Sequence, residues 1–319
     1  MRLYAHLDRH GDDRIGALLD GQLLTGGTLS RVKGAWPLDT FQSICCLLDG
    51  NGWQRRSERT IRRAVDGDAR RIDPTERTAL PAVQHPEKIV CVGLNYGEHA
   101  REGGRDAPTR PLLFAKFANT IVAHGQPVVR PAGTHALDLE VELGVVIGSR
   151  ARCVSRDMAM DHVAGYVVVN DISARDWQGT PPALRPGEKG DGQWLRAKGS
   201  DTFLPMGPVF VSRDELDPAA GLRLRSWRIP GPGRPGEGEA ILMQDGSTAD
   251  MLWDIPSLIE FISAAITLEP GDVIATGTPS GVGVFQDPPV FLEPGDRVRC
   301  EIDGIGIVEN PIVDAPQPV

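Results

Sequence analysis

Two glutamates two residues apart, Glu140 and Glu142, sit inside a run that is otherwise apolar: Leu139, Val141 and Leu143, then Gly144-Val145-Val146-Ile147-Gly148. A strand turns alternate side chains to opposite faces, so the two carboxylates would point the same way, roughly 6–7 Å apart along the backbone. On an exposed strand the pair, with Asp138, would be an ordinary wet face. The continuous apolar run that follows argues instead for a strand entering the interior. Like charges buried at that spacing repel, and the arrangement is costly unless a cation sits between them. Asp171 closes a second apolar β run, Tyr166-Val167-Val168-Val169-Asn170, where a polar residue at a strand end often reaches a site. Oxygen-only ligands suit a hard divalent ion, Mg²⁺ with Mn²⁺ or Ca²⁺ as alternatives, rather than zinc among thiolates. Glu140, Glu142 and Asp171 therefore read as a metal site.

The 319 residues are enough for one large domain and a small one. Aromatics are scarce, while 37 glycines and 26 prolines favour a turn-rich, β-rich fold over a helical bundle. A formal charge of −9 argues against nucleic acid as a partner. The one basic cluster, Arg55 to Arg71, is interleaved with Glu58, Asp66 and Asp68 and reads as a solvated face or an inter-domain contact. Five cysteines without C-x-x-C spacing fit a reducing cytoplasm, with Cys91 and Cys300 as core residues. No apolar run approaches membrane-spanning length, so no membrane association is expected.

Residues 1–75 read as a small N-terminal domain and 76–319 as the metal-dependent catalytic domain. The first contains strands at Met1–Leu7 and Arg14–Leu19, a turn at Asp20-Gly21 before Gln22–Leu24, and a helix over Thr40–Leu48. In the second, strand signals dominate from Ile89–Gly93 and Leu112–Lys116 through to Ile305–Glu309. Helices are expected at Tyr96–Glu102, Met158–Val163 and Ile255–Ala264, the last capped by Asp254. Glu269-Pro270-Gly271-Asp272 and Glu293-Pro294-Gly295-Asp296 are two copies of one turn. Gly179 to Gly192 lacks apolar periodicity and, lying just after the candidate site, reads as a lid.

On a helix His99 and Glu102 are i and i+3 and share a face, so the carboxylate can orient the imidazole as a general base. Lys198, in a small-residue setting, could neutralise a substrate carboxylate or a developing oxyanion. Arg175 and Gln178 lie four and seven residues past Asp171; on a short helix they would share its face and meet an anionic substrate. Thr276-Gly277-Thr278-Pro279 lacks the lysine of a phosphate loop and better suits a backbone and hydroxyl cradle for a carboxylate.

Together these segments resemble the fumarylacetoacetate hydrolase superfamily, from about Lys88 to Val313. The motifs run in the family's order: Gly93-Leu94-Asn95-Tyr96 with His99 and Glu102, Asp138 to Glu142, Asn170 to Asp176, Lys198-Gly199 with Asp201-Thr202, and Gly271-Asp272 leading to Thr276–Pro279. The resemblance implies a β-rich mixed α+β fold, a β-sandwich roll with a small N-terminal α+β domain, and a homodimer. It also implies Mg²⁺ on Glu140, Glu142 and Asp171, a water-activating dyad of His99 and Glu102, substrate contacts from Lys198, Arg175 and Gln178, and Thr278 holding a carboxylate end. The chain departs from the pattern at Leu139, usually aromatic, and at Phe117, where a proline commonly follows the lysine equivalent to Lys116.

From these parts the expected activity is hydrolysis of a C–C bond in an acylpyruvate-like 2,4-dioxo acid, in aromatic or sugar-acid catabolism. The metal would stabilise an enolate while His99 activates water. The alternatives use the same site without water attack: isomerisation of a 2-hydroxydienedioate, decarboxylation of an oxaloacetate-type acid, or dehydration of a 2-oxo-3-deoxy sugar acid.

Overall fold

The computed structural model describes residues 1–32, 48, 52–188, 190 and 192–316. The helix expected over Thr40–Leu48 lies outside the described residues except for Leu48. The fold is β-rich and mixed α+β, as expected. An 11-stranded sheet runs Gln22–Leu24, Asp13–Leu19, Arg2–Leu7, Val209–Ser212, Val163–Asn170, Val141–Ile147, Val273–Ala275, Ile89–Gly93, Leu112–Lys116. Leu204–Met206 pairs with the Val163–Asn170 strand and, in parallel, with Ile121–Ala123. Arg2–Tyr4 pairs with Val209–Val211, so the N-terminal strands continue the large sheet. A second sheet of five strands, Ile241–Ser247, Arg223–Ile229, Arg297–Ile302, Gly306–Asp314 and Val128–Arg130, packs against it.

The central strands are apolar on both sides because both faces are covered. Along Val163–Asn170, Val167 and Val169 join a core with Leu3, Ile15 and Phe210, while Tyr166 and Val168 join a core on the opposite face. That second core also takes Val141, Leu143 and Val145, the helix residues Leu258, Ile259 and Ile262, and Leu224 and Cys300 of the smaller sheet. The period of two along Val141–Ile147 therefore commits the odd positions to this core and turns Glu142 to the other side. The Ile255–Ala265 helix begins where the sequence signals it, with Asp254 accepting from the Ser257 N–H. Among the described residues, no helix is long and apolar enough to cross a membrane.

The two Glu-Pro-Gly-Asp turns are built alike. In each, the aspartate N–H donates to the glutamate carbonyl and its carboxylate accepts the glutamate N–H, for Asp272 and Glu269 and for Asp296 and Glu293. Gly271 and Gly295 take φ values of +88° and +94°, which side chains rarely adopt. The Ile229–Glu239 segment is a hairpin connection, joining antiparallel strands Arg223–Ile229 and Ile241–Ser247.

The sheet centre leaves no room for a side chain at Gly165. A Cβ added at Gly165 would fall 2.2 Å from the Val211 carbonyl oxygen, on the strand beside it. Gly165→Ala should therefore destabilise the protein by about 3 kcal/mol, since strand backbone rather than a flexible side chain must move. Urea denaturation checks this, and an unchanged midpoint would contradict the packing described.

Candidate metal centre and active site

The strand carrying the two glutamates is not continuous. Leu137–Asp138 pairs with Ser173–Ala174, the chain leaves the ladder at Leu139-Glu140, and Val141–Ile147 then pairs with Val163–Asn170. The break is held by polar contacts. The Glu140 N–H donates to Asn170 Oδ1 at 2.9 Å, and the Asp171 N–H donates to the Glu140 carbonyl at 2.9 Å. Glu140 and Glu142 thus converge through this local crossing with the Asn170-Asp171 segment, not through simple strand alternation. Carboxylate oxygens of Glu140, Glu142 and Asp171 all lie within 4.8 Å of one another, and all three residues are buried.

Three cations are buried among them. Lys198 Nζ lies 2.8 Å from Glu140 Oε2 and 2.7 Å from Asp171 Oδ2. Arg175 reaches Glu140 Oε1 at 2.7 Å and Asp138 Oδ2 at 2.9 Å. Lys116 Nζ lies 2.7 Å from Asp171 Oδ1 and donates to the carbonyls of Ile172, Lys198 and Phe203. Burial favours the neutral acid at Glu140, but the Lys198 and Arg175 charges outweigh it and hold this carboxyl well below its usual range. Burial also opposes the charge on Lys198, yet the Asp171 and Glu140 carboxylates raise its affinity for the proton.

Glu142 is different. It is 1% exposed and accepts one hydrogen bond, from the Gly277 N–H at 2.8 Å. Among the described residues it pairs with no cation. Burial and the negative charges of Asp171 and Glu140 push its carboxyl up. A buried acid facing two carboxylates without a cation of its own is what a divalent ion would relieve, and the all-oxygen donor set suits Mg²⁺, Mn²⁺ or Ca²⁺. The three residues therefore fit a divalent metal site.

The remaining expected residues meet around one cleft of about 680 Å³ of empty space, partly open to solvent. His99 and Glu102 lie on the helix Gly97–Glu102, with Nδ1 2.7 Å from Glu102 Oε1. The other Glu102 oxygen accepts the Gly281 N–H, which fixes the carboxylate. His99, Lys198, Arg175, Gln178 and Thr278 all line the cleft beside Glu140 and Glu142. Gln178 Oε1 accepts from Arg175 and Thr180, and the Thr278 hydroxyl donates to the Val141 carbonyl while accepting from Gln244. The cradle N–H at Gly277 serves the protein's own Glu142.

Arg175 does not reach the site by sharing a helical face with Asp171, as its spacing suggests. Ile172 and Ser173–Ala174 are tied to Phe203 and to the Leu137–Asp138 strand, so the helix begins only at Arg175. Its guanidinium then meets Asp138 and Glu140. Of the expected lid, Gly179 and Thr180 line the cleft and Pro181–Ala183 forms a 3₁₀ turn, while Lys189 and Asp191 lie outside the described residues. The sequence places Lys116 only as the lysine before Phe117 in the family pattern and gives it no part in the site; a charged residue closing the apolar strand Leu112–Lys116 is the signal for that part.

The profile for "Fumarylacetoacetate (FAA) hydrolase C-terminal" matches residues 88–313. The chain belongs to the fumarylacetoacetate hydrolase family. Among curated relatives, "Oxaloacetate tautomerase fahd2, mitochondrial" of Xenopus laevis is 40% identical over 254 residues, 80% of this chain and 74% of that protein. A solved structure of fumarylacetoacetate hydrolase from Exiguobacterium antarcticum covers 99% of this chain and 100% of its own, at 32% identity and a TM-score of 0.77. Maleylpyruvate hydrolase from Sphingobium sp. SYK-6 gives 30% identity with the same coverage and a TM-score of 0.73. The family profile covers residues 88–313 and the structural likeness 99% of the chain, and the chain is a metal-dependent enzyme of this family.

Glu142→Gln separates the cost of the unpaired carboxylate from its use. Without metal the variant should be more stable than the parent at neutral pH, because the fold must otherwise hold a carboxyl neutral above its usual range or bury its charge, and the amide does neither. Added Mn²⁺ should then stabilise it far less, with metal affinity reduced at least roughly 10- to 100-fold. Thermal melts with and without the ion check both signs.

Proposed function

We propose that the protein is a divalent-metal-dependent tautomerase that interconverts the keto and enol forms of an oxaloacetate-type 2-oxo acid. The observation that carries this reading is His99, oriented by Glu102, lining the same cleft as Glu140 and Glu142 of the acidic triad, with no serine or cysteine among the described cleft residues. That equipment suits moving one proton and stabilising one oxyanion. The names of relatives about 40% identical point the same way.

Glu140, Glu142 and Asp171 would hold the cation, which when bound supplies Lewis-acid polarisation of the 2-oxo oxygen. The protein's own residues do the rest. With Nδ1 hydrogen-bonded to Glu102, His99 has Nε2 free to take a proton from C3, and the C3–H electrons move into the C2–C3 bond. The 2-oxo oxygen gains the negative charge. Lys198 keeps its proton because Asp171 and Glu140 favour the ammonium, so it acts as a hydrogen-bond donor to that oxygen rather than as an acid. Protonation of the oxygen by solvent completes the enol, and the reverse order returns the keto form.

Hydrolysis of a 2,4-dioxo acid is the second reading, supported by the same dyad acting on water and by the maleylpyruvate hydrolase neighbour. The two diverge at the fate of the carbon skeleton. Mg²⁺-loaded protein in D₂O should accelerate keto–enol exchange of oxaloacetate and deuterium entry at C3 by NMR, with the carbon skeleton intact. Cleavage of maleylpyruvate or acetylpyruvate at comparable rates, without faster exchange on oxaloacetate, would overturn the tautomerase reading in favour of the hydrolase. His99→Ala should lower kcat about 10²- to 10⁴-fold in either case, the range expected for losing a general base.

A further inference from the structure

Among the described residues three cations line the cleft, and two of them are committed. Lys198 is paired with Glu140 and Asp171, and Arg175 with Glu140 and Asp138. The third, Arg105, also lines the cleft, and its side chain is exposed, with no carboxylate or other partner among the described residues. We propose that Arg105 binds the distal carboxylate of the substrate and makes the enzyme selective for 2-oxo dicarboxylates. The inference rests on the proposed 2-oxo acid chemistry for how the substrate's other end is held.

The backbone at Arg105 is held while the guanidinium stays free. After the His99 helix ends, Gly104 takes a φ of +65°, and the Arg105 N–H returns to the Ala100 carbonyl at 2.9 Å. Gly103 fits closely against Phe285, where an added Cβ would come within 3.0 Å of the ring. The Phe285 ring in turn lies tilted against His99, with centroids 6.1 Å apart. The arginine is thus anchored to the element that carries the proposed base, and it lies outside the triad's ion pairs. A substrate whose 2-oxo acid end occupies the triad meets His99 at its middle carbons and needs a cation only if its far end is anionic. The fork of a guanidinium matches a carboxylate through two hydrogen bonds, which a lysine ammonium cannot reproduce.

The experiment compares Arg105→Ala and Arg105→Lys with the parent, all Mg²⁺-loaded. Substrates are oxaloacetate and its 4-ethyl ester, which keeps the 2-oxo acid end and neutralises the other. The parent should favour oxaloacetate over the ester in KM. Arg105→Ala should shrink that preference about 10- to 100-fold, the scale of a lost charge-assisted pair, and Arg105→Lys should restore part of it. Calorimetric titration with 3,3-difluoro-oxaloacetate and its 4-ethyl ester, which cannot enolise, gives the same comparison without turnover. If the parent fails to turn over oxaloacetate, the tautomerase reading falls while the calorimetry still judges Arg105. Equal losses on acid and ester, or an unchanged preference, would overturn the assignment.

Discussion

Everything at this site depends on keeping four carboxylates, Asp138, Glu140, Glu142 and Asp171, in an interior that also holds Lys116, Arg175 and Lys198. Removing charges from water costs several kcal/mol each, so such a cluster persists only where nearly every oxygen has a cation or a donor. The pairing is shared rather than one to one. Lys198 bridges two acids, Arg175 bridges two, and Glu140 and Asp171 each receive two cations. Loss of one partner therefore exposes several others, and the site is cooperative in stability as well as in geometry.

The fold supplies this arrangement by crossing two chain segments at the centre of the large sheet. The ladder between Val141–Ile147 and Val163–Asn170 ends at Asn170, and the smaller pairing of Leu137–Asp138 with Ser173–Ala174 begins just beyond. Between them the Glu140 N–H finds Asn170 Oδ1, the Asp171 N–H finds the Glu140 carbonyl, and the Asp171 carbonyl accepts the Ser173 hydroxyl, so these backbone groups keep partners outside the ladder. Lys116 ties this crossing to the edge strand and to the end of the Trp194–Gly199 helix that delivers Lys198. It binds three backbone carbonyls and one ligand carboxylate, which makes it a brace between two parts of the site.

Much of this was legible in the residues, and the rest was not, for physical reasons. A paired acid motif in an apolar run signals buried charge whatever the backbone does, so Glu140 and Glu142 were readable even though the strand breaks between Leu139 and Val141. The i, i+3 relation of His99 and Glu102 is local and the helix preserves it. Arg175 is the opposite case, because its partners Asp138 and Glu140 come from a segment more than thirty residues earlier and helical spacing from Asp171 carries no information about them. Lys116 and Asp138 were overlooked as actors for a similar reason. Each is ordinary in its own segment and gains meaning only from neighbours brought up by tertiary structure.

The charge account also bears on how the site would work. Four carboxyl groups against three cations leave Glu142 without a cation of its own, and burial beside Asp171 and Glu140 favours its neutral form until a metal takes the place of the proton. An anionic 2-oxo acid beside the ionised Glu142 would meet repulsion of about 4 kcal/mol for unit charges 4 Å apart at an effective dielectric constant of 20. A divalent cation on the triad reverses that sign and turns the same wall attractive. Metal before substrate is then the electrostatically favoured order, and Glu142, left without a cation by the protein itself, is the residue that imposes it.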